Sequence, residues 1–389
     1  MKEFVEGSHA VAQIVKRCRP GVVSAYPITP QTHIVEDLAQ MVVDKELNAE
    51  FVNVESEHSA ASVVLGAEAT GVRSYTATSS QGLLLMTEVV FNIAGLRLPV
   101  VMTTANRAVS APINIWNDQQ DVMTVRDSGW VLLFAESIQE AVDLHMQAYK
   151  IGEDPDVMLP VMVNMDGFIL THGMEVVDMP TQEDVDKYLP PYKTTYKLDV
   201  NDPKTMGYLA DPDYYLEIRY LVQETHRELL DRIPQVAADF KKTFGRESGG
   251  LVQTYRMEDA DQAFVAAGSV CGTIRQVVDE LRDKGKKVGL VKIGCYRPFP
   301  KAALASALKN VREIAVVDKS ISLGGFGPFY TDVTSALGTG SAKISGFVIG
   351  LGGRDITGKT IHDVYDRLSG PQADCEFLGL KQELLADVE

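Results

Sequence analysis

Hydrophobic and polar positions follow two alternating patterns over the first half of the chain. Short apolar runs that end in turn residues are typical of buried strands, and longer segments with apolar positions three and four residues apart are typical of helices. Strands are predicted at 22–29, 49–56, 74–80, 99–106 and 159–167, and helices at 33–47, 57–71 and 81–96. Strands separated by helices of this length indicate a parallel sheet with helices on both faces.

The pattern changes after residue 176. Residues 176–215 are rich in Pro, Asp and Tyr, which indicates a connector on the surface, and 216–245 predict a long amphipathic helix, or a helix pair interrupted near Pro234. A second α/β unit starts near Arg256, with strands in AFVAAGSV, KVGLVKIGCYRPFP, EIAVVDKS and SGFVIGLGGRD and helices in CGTIRQVVDELRDKG and ALASALKNV. We therefore predict two domains, 1–245 and 246–389.

Composition narrows the functional classes. The 389 residues carry a formal net charge of −16, which argues against a surface that binds nucleic acid or anionic membranes. The chain has no secretory signal and no apolar run of 18 residues, so a soluble, cytoplasmic protein is expected. Its four cysteines are far apart with no C-x-x-C pair, so we expect neither a zinc site nor an iron–sulfur cluster in this chain.

Several polar residues come directly after predicted strands, where parallel sheets bind ligands. Thr29 stands between two prolines in AYPITP, so its hydroxyl is held by a stiff backbone and is a candidate hydrogen-bond donor to a substrate oxygen. The alternative is that Thr29 only caps the helix that starts at 33.

Glu57 lies at the next strand-to-helix junction, in ESEH, followed by small residues that allow close approach of a ligand. A carboxylate at a helix N-terminus is also favourable on electrostatic grounds alone, so a structural role stays open. His58 lacks a partner at metal-ligand spacing on the same helix, so no metal is predicted.

Two further strand ends carry polar candidates. In TATSSQG, Ser80 and Gln81 begin a helix, a position that attracts anions but is also an ordinary helix cap. Arg107 follows the strand at 99–106 and requires an anionic partner, either a substrate carboxylate or Asp118 or Asp121. The glycine runs at 324–327 and 350–353 lack dinucleotide-binding spacing and predict tight turns.

Taken together, these segments resemble one family. AYPITPQT, ESEHSAAS, YTATSSQGLLLM, NRAVSAPINIWND and LPVMVNMDGFILTH are similar to the α subunit of pyruvate:ferredoxin oxidoreductase, within the 2-oxoacid:ferredoxin oxidoreductases. The resemblance continues through VAAGSVCGTIRQ, IGCYRPFP and VVDKSISLGGFG, and so covers most of the chain.

The resemblance implies a fold, cofactors and partners. The fold is α/β, with a thiamine-enzyme pyrimidine-binding domain followed by a domain like the C-terminal domain of transketolase. Thiamine diphosphate is shared with a β subunit that binds the diphosphate and Mg²⁺, and [4Fe-4S] clusters lie in partner subunits, including γ/δ-type subunits. In agreement, this chain has no GDG…N segment and no cysteine cluster. Ferredoxin, pyruvate and coenzyme A complete the implied partners.

The resemblance also implies residue roles. Glu57 matches the glutamate that contacts the cofactor's pyrimidine ring, Thr29 and Arg107 match the substrate-binding threonine and arginine, and Ser80 and Gln81 lie in the cofactor-binding segment. One departure is Gln119, where the family often has histidine, so no acid–base role is assigned there.

The implied reaction is reversible oxidative decarboxylation of pyruvate with coenzyme A to acetyl-CoA, CO₂ and reduced ferredoxin. Three alternatives stay open: a branched-chain 2-oxoacid as substrate, a transketolase-like thiamine enzyme, and a non-catalytic scaffold subunit. A single arginine fits a substrate with one carboxylate.

Overall fold

The computed structural model describes residues 2–385 except 195, 339 and 341. In these ranges the strands are β1 Lys2–Glu6, β2 Val22–Val23, β3 Glu50–Phe51, β4 Ser74–Thr78, β5 Val101–Asn106, β6 Val131–Phe134, β7 Val161–Asp166, β8 Met174–Asp178, β9 Val252–Tyr255, β10 Gln262–Ala266, β11 Val288–Ile293, β12 Cys295–Arg297, β13 Glu313–Asp318, β14 Lys343–Val348 and β15 Glu376–Phe377. The α-helices are α1 Gly7–Arg17, α2 Thr32–Val43, α3 Glu57–Ala69, α4 Ser80–Leu85, α5 Thr87–Gly95, α6 Gln120–Thr124, α7 Ile138–Gly152, α8 Gln182–Tyr188, α9 Pro212–Phe244, α10 Val270–Asp283, α11 Lys301–Ala307, α12 Pro328–Leu337 and α13 Gly358–Leu368.

The first sheet has the strand order β12-β6-β7-β5-β4-β2-β3. Its strands are parallel except β12, which pairs antiparallel with β6 at the edge. Because β5, β4, β2 and β3 are neighbours and point the same way, the segments that follow them meet at one edge of the sheet. The predicted parallel sheet is confirmed.

Both faces of this sheet are buried, and alternate residues of one strand show it. Val131 and Leu133 pack with α1, α2 and α7, whereas Leu132 and Phe134 pack with α3, α5 and the second sheet. Because both faces are buried, the sequences of these parallel strands are continuous apolar runs instead of alternating apolar and polar residues. The predicted helices on both faces are confirmed.

The second sheet has the order β15-β14-β13-β10-β11-β9 and is parallel except for β9. It packs directly on the first unit, because Val265 and Phe329 belong to the same hydrophobic core as Leu132. Strand β12 also crosses from the second unit to complete the first sheet. The limits 1–245 and 246–389 remain a prediction, and the two units share one core.

Three local expectations differ from the structure. The strands predicted at 22–29 and 49–56 are each only two residues long in the structure, because the chain leaves the sheet after Val23 and Phe51 to form the site loops. The helix predicted at 81–96 is divided at the buried Met86. For 216–245, by contrast, the single long helix is confirmed, because α9 continues through Pro234. No element is predicted between 118 and 159, where the structure has α6, β6 and α7.

None of the helices that the structure describes combines the length and the apolar character needed to cross a membrane.

A buried ion pair joins the carboxyl ends of the two sheets. Asp166 ends β7 of the first sheet, and Lys319 follows β13 of the second; the Lys319 Nζ lies 2.9 Å from the Asp166 Oδ2, and the side chains are 2% and 1% exposed. Ser269, which follows β10, donates its backbone N–H to the same carboxylate at 2.8 Å. Although burial opposes it, the Lys319 charge and the Ser269 hydrogen bonds lower the pKa of Asp166.

We predict that Lys319→Met destabilises the chain by about 3–5 kcal/mol, because it leaves a buried carboxylate without its counter-ion. The double variant Asp166→Asn/Lys319→Met should lose less. The lowered pKa of Asp166 means that its contribution is present above about pH 4 and is lost as the pH falls below that. Chemical denaturation at pH 7 measures the free energy of unfolding.

The matched control is Lys359→Met, which removes an exposed helical pair with Asp363 and should change stability by less than about 0.5 kcal/mol. A Lys319→Met variant as stable as this control would contradict the assigned role of the buried pair.

Candidate active site

The predicted site residues come from the ends of four neighbouring strands. Thr29 follows β2, Glu57 follows β3, Ser80 and Gln81 follow β4, and Arg107 follows β5. Since these strands lie side by side in the first sheet, their exit loops form one continuous surface. The structure therefore brings together residues that are up to 78 positions apart in sequence.

Thr29 and Arg107 are in direct contact. The Arg107 NH1 donates a hydrogen bond of 2.8 Å to the Thr29 carbonyl, which leaves the threonine side chain exposed at the sheet edge. The residue before α2 is Gln31, which makes no side-chain cap, and Thr29 lies outside that helix. The alternative that Thr29 only caps the helix is wrong.

Arg107 is buried, with 5% exposure, and its guanidinium has two backbone carbonyl partners. The Nε donates to the Asn114 carbonyl at 2.9 Å, and NH1 donates to Thr29. Among the described residues, no carboxylate lies within 4.0 Å of the guanidinium, so neither Asp118 nor Asp121 forms an ion pair with it. Burial lowers the pKa of Arg107, and the nearby Asp121 partly offsets this. A desolvated cation without a counter-ion favours an anionic ligand.

Asp121 organises the backbone beneath this cation, a role that the sequence analysis missed. Its carboxylate accepts hydrogen bonds from the backbone N–H groups of Ser80 at 2.9 Å and Arg107 at 3.0 Å, and from the side chain of Asn106 at 3.0 Å. Burial raises the pKa of Asp121 to about 7, although these donors act in the opposite direction. Asp121 thus ties the exit of β4 to the exit of β5.

Glu57 occupies the first turn of α3 and is buried, with 7% exposure. Ser56 caps the helix by accepting from the Ser59 N–H at 3.2 Å, so the Glu57 carboxylate is not needed as the cap. Among the residues that the structure describes, the Glu57 side chain has no hydrogen-bond or ion-pair partner. A largely buried carboxylate in this state favours a donor from outside the chain.

Gly82 makes room for this carboxylate. A Cβ placed on Gly82 would lie 2.6 Å from the Glu57 Oε1 and 2.6 Å from the Thr78 Oγ1. The Thr78 hydroxyl is itself buried without a partner in the described part of the chain, as is the Ser79 hydroxyl. One unsatisfied hydroxyl, that of Thr78, therefore lies near the Glu57 carboxylate at the start of α4.

Ser80 and Gln81 make internal contacts in this structure. The buried Ser80 hydroxyl donates to the Ala108 carbonyl, and the Gln81 side chain donates to Ser110. Ser80 also has a φ of 49°, a left-handed conformation that a non-glycine residue adopts at a cost. They connect β4 with the loop after Arg107, and their predicted contact with a cofactor stays a prediction.

The polar-aromatic loop after Arg107 packs on the second unit. The Asn114 side chain donates to the Gly352 carbonyl at 3.0 Å, and the Gly352 N–H donates to Asp118 at 3.1 Å. A Cβ on Gly353 would lie 2.2 Å from the Trp116 Cβ. The glycine run at 350–353 therefore forms a turn, with positive φ at Gly350, Gly352 and Gly353, whose lack of side chains admits this loop.

Gln119, the departure noted in the sequence, is 1% exposed. Its side chain lies 3.3 Å from the Asp166 carboxylate, and its backbone N–H donates to the Lys319 carbonyl at 2.8 Å. Gln119 belongs to the contact between the two units, which agrees with assigning it no acid–base role.

Comparison with known proteins identifies a family. The model described as pyruvate flavodoxin/ferredoxin oxidoreductase, thiamine diP-bdg, matches residues 13–238, and that of pyruvate:ferredoxin oxidoreductase core domain II matches residues 260–361. Pyruvate synthase subunit PorA of Methanothermobacter thermautotrophicus is 50% identical over 381 residues, which cover 98% of this chain and 99% of the relative. Ketoisovalerate oxidoreductase subunit VorA of Pyrococcus horikoshii is 43% identical, covering 92% and 91%.

A solved structure agrees at the level of the fold. A 2-oxoglutarate:ferredoxin oxidoreductase from Magnetococcus marinus, with 2-oxoglutarate, coenzyme A and succinyl-CoA bound, superposes with a TM-score of 0.74 at 19% identity. The match covers 94% of this chain, which spans 65% of the length of that neighbour. The predicted fold class is confirmed, and the chain belongs to the pyruvate flavodoxin/ferredoxin oxidoreductase family.

Proposed function

We propose that this chain is the α subunit of a thiamine-diphosphate-dependent 2-oxoacid:ferredoxin oxidoreductase. The reaction is the reversible oxidative decarboxylation of pyruvate with coenzyme A to acetyl-CoA, CO₂ and reduced ferredoxin. One observation carries the proposal: a buried carboxylate, Glu57, and a buried guanidinium, Arg107, lie on the same sheet edge, each without an ion-pair partner within 4.0 Å in the described chain. Such an edge accepts a ligand that has both a donor group and an anionic group.

The residues present fit the pyrimidine ring of thiamine diphosphate. Glu57 offers an unpaired acceptor, and Gly82 leaves the space in which that carboxylate lies. When bound, thiamine diphosphate supplies the carbon nucleophile and the electron sink for decarboxylation. Glu57 holds a proton of the ring nitrogen in a hydrogen bond, and its burial keeps water from competing for that bond.

Arg107 binds the carboxylate of the 2-oxoacid. The two backbone carbonyls on Nε and NH1 fix the plane of the guanidinium, so its remaining N–H groups have a defined direction. Each charge-assisted hydrogen bond contributes roughly 1.5–3 kcal/mol. Thr29, held beside Arg107 by its own carbonyl, supplies a hydroxyl for a substrate oxygen.

Partner subunits complete the enzyme in this proposal. A β subunit binds the diphosphate and Mg²⁺, and γ/δ-type subunits carry [4Fe-4S] clusters that pass electrons to ferredoxin. The cysteines here are free, and Cys18, Cys271 and Cys295 are buried, so they are unsuited as cluster ligands. Reduced cysteines also support a cytoplasmic location.

A branched-chain 2-oxoacid is the second candidate substrate. It is favoured by one observation, the 43% identity to a ketoisovalerate oxidoreductase subunit over nearly the same length as the pyruvate synthase subunits. Such a substrate carries one carboxylate, like pyruvate, and differs in apolar bulk. The Glu57 and Arg107 side chains, which have no ion pair in the described chain, argue against a scaffold subunit, and a single arginine among the candidate residues suits sugar phosphates poorly.

A substrate panel tests the proposal directly. We expect the complex of this chain with its partner subunits to reduce a viologen dye with pyruvate and coenzyme A, and to work less well with 2-oxoisovalerate and 2-oxoglutarate. Highest kcat/KM for 2-oxoisovalerate would assign the branched-chain alternative. Activity with sugar phosphates, or none with any 2-oxoacid, would contradict the proposed function.

Two variants test the role of Glu57: one changes its carboxylate, and the other fills the space in which that carboxylate lies. Glu57→Gln should lower activity by about 10²–10⁴-fold, because an amide supplies no charge to the ring nitrogen. Gly82→Ala should also lower activity, because the added methyl group displaces the Glu57 carboxylate, while alanine suits the helix better by about 1 kcal/mol. Both variants should assemble normally.

Gly66→Ala is the matched control. Gly66 lies in α3, the helix that begins at Glu57, and a Cβ there meets nothing within 4 Å. This variant should keep wild-type turnover. Near-normal turnover of Glu57→Gln would show that Glu57 is structural.

Arg107→Lys should raise the KM for pyruvate and lower kcat, since lysine cannot reproduce two parallel hydrogen bonds to a carboxylate. We expect a loss of at least tenfold in kcat/KM, which corresponds to about 1.4 kcal/mol. The KM for coenzyme A should change little. Steady-state kinetics with each substrate varied separately gives these values.

Arg97→Lys provides the control, because Arg97 is also partly buried with carbonyl partners but precedes β5, at the opposite edge of the sheet. It should leave both KM values unchanged. A raised KM for coenzyme A alone in Arg107→Lys would reassign Arg107 to thioester formation.

A further inference from the structure

Three side chains with metal-binding atoms converge on the surface of the first unit, outside the site described above. Glu6 ends β1, His33 lies in the first turn of α2, and His172 lies in the loop after β7. One ligand atom of each lies within 4.8 Å of the others. The His33 Nδ1 is 2.7 Å from the Glu6 Oε1, and the imidazole rings of His33 and His172 have centroids 4.8 Å apart.

The backbone holds His172 in place. Its neighbour Thr171 is fully buried, and the Thr171 carbonyl accepts hydrogen bonds from the Ser8 N–H and the Ser8 hydroxyl. The Thr171 Oγ1 lies 2.7 Å from the His172 Nδ1, so the opposite ring nitrogen, Nε2, is left for a ligand. An oxygen partner on the second nitrogen is the arrangement that orients histidine ligands in metal sites.

The surroundings favour a cation. A cavity of about 470 Å³ is lined by Glu6 and His33 of the cluster together with Glu36 and Asp37. His9 pairs with Asp37 at 2.9 Å in the same cavity. Three imidazoles (His9, His33 and His172) and three carboxylates (Glu6, Glu36 and Asp37) lie in one small surface region, which gives a negative potential when the histidines are neutral.

The three ligand atoms lie within 4.8 Å of one another, a wider spacing than one bound ion allows, so side-chain rotation must bring them together. Zinc takes nitrogen and oxygen ligands at about 2.0–2.2 Å, so tetrahedral ligand atoms lie about 3.3 Å apart. The Glu6–His33 contact at 2.7 Å needs a small opening, and the side chains are 30% and 48% exposed, so rotation is free to provide it. Three protein ligands leave a fourth position for water.

We propose that Glu6, His33 and His172 bind one divalent transition-metal ion of the zinc class. The ion joins the end of β1, the start of α2 and the loop after β7. Gly167, in the same loop, packs so closely on Pro30 that a Cβ there would lie 2.6 Å from the Pro30 Cγ. The ion therefore braces the segment that also carries Thr29. This site does not depend on the proposed reaction.

The test titrates the untagged full chain with ZnCl₂ in isothermal calorimetry. We expect one saturable equivalent, at least tenfold weaker in His33→Ala and in His172→Ala, and a thermal midpoint that Zn²⁺ raises only in the wild type. Co²⁺ in place of Zn²⁺ should give visible absorption bands in the wild type that both variants lose. Circular dichroism verifies that each variant is folded, and Glu6→Gln serves as a conservative third variant.

His362→Ala is the matched control, because His362 pairs with Glu280 at 2.8 Å in the second unit without a second imidazole beside it. It should bind Zn²⁺ like the wild type. The proposal is overturned if Zn²⁺ shows no saturable binding, or if the double variant His33→Ala/His172→Ala binds it with unchanged affinity.

Discussion

The architecture depends on the buried contact between Asp166 and Lys319. These side chains come from the carboxyl ends of β7 and β13, which belong to different sheets, and each is at most 2% exposed. Burial of two opposite charges is costly unless they pair and accept or donate further hydrogen bonds. Here Ser269 and Asn117 donate hydrogen bonds to the Asp166 carboxylate. The pair therefore fixes how the two sheets face each other, and a change at either end leaves an uncompensated charge.

The same constraint shapes the loops of the site. Gln119, which contacts both members of the pair, directly precedes α6, and two residues later Asp121 holds the backbone of Ser80 and Arg107. The loop between Arg107 and Gln119 is pressed against the glycine turn at 350–353. The position of the guanidinium thus follows from contacts that extend across both units. Its hydrogen-bond partners are backbone carbonyls, and among the described residues no carboxylate forms an ion pair with it.

Much of the fold could be predicted because each parallel strand is buried on both faces and so has a continuous apolar run. The hydrophobic pattern along the sequence was least informative about where helices break or continue, because tertiary contacts decide this. Met86 divides a continuous apolar segment into α4 and α5, and Pro234 is accommodated inside α9, whose residues Leu229, Ile233 and Phe240 are buried. Local propensity is a weak guide when packing stabilises the exception.

By itself, the sequence determined the α/β class, the family resemblance and the candidate residues Thr29, Glu57 and Arg107, because local patterns place each of them after an apolar strand. Only the tertiary structure decided which side chains share a surface and which are already satisfied. In the structure, Asp118 and Asp121 accept backbone hydrogen bonds and form no ion pair with Arg107. Among the described residues Glu57 has no hydrogen-bond partner, and the Ser80 hydroxyl donates to a carbonyl within the chain. The tertiary structure also revealed Asp121, the Asp166–Lys319 pair and the cluster of Glu6, His33 and His172. These contacts join residues that are distant in sequence. Whether a polar side chain is hydrogen-bonded or desolvated depends on its neighbours in space, which a local sequence pattern does not contain.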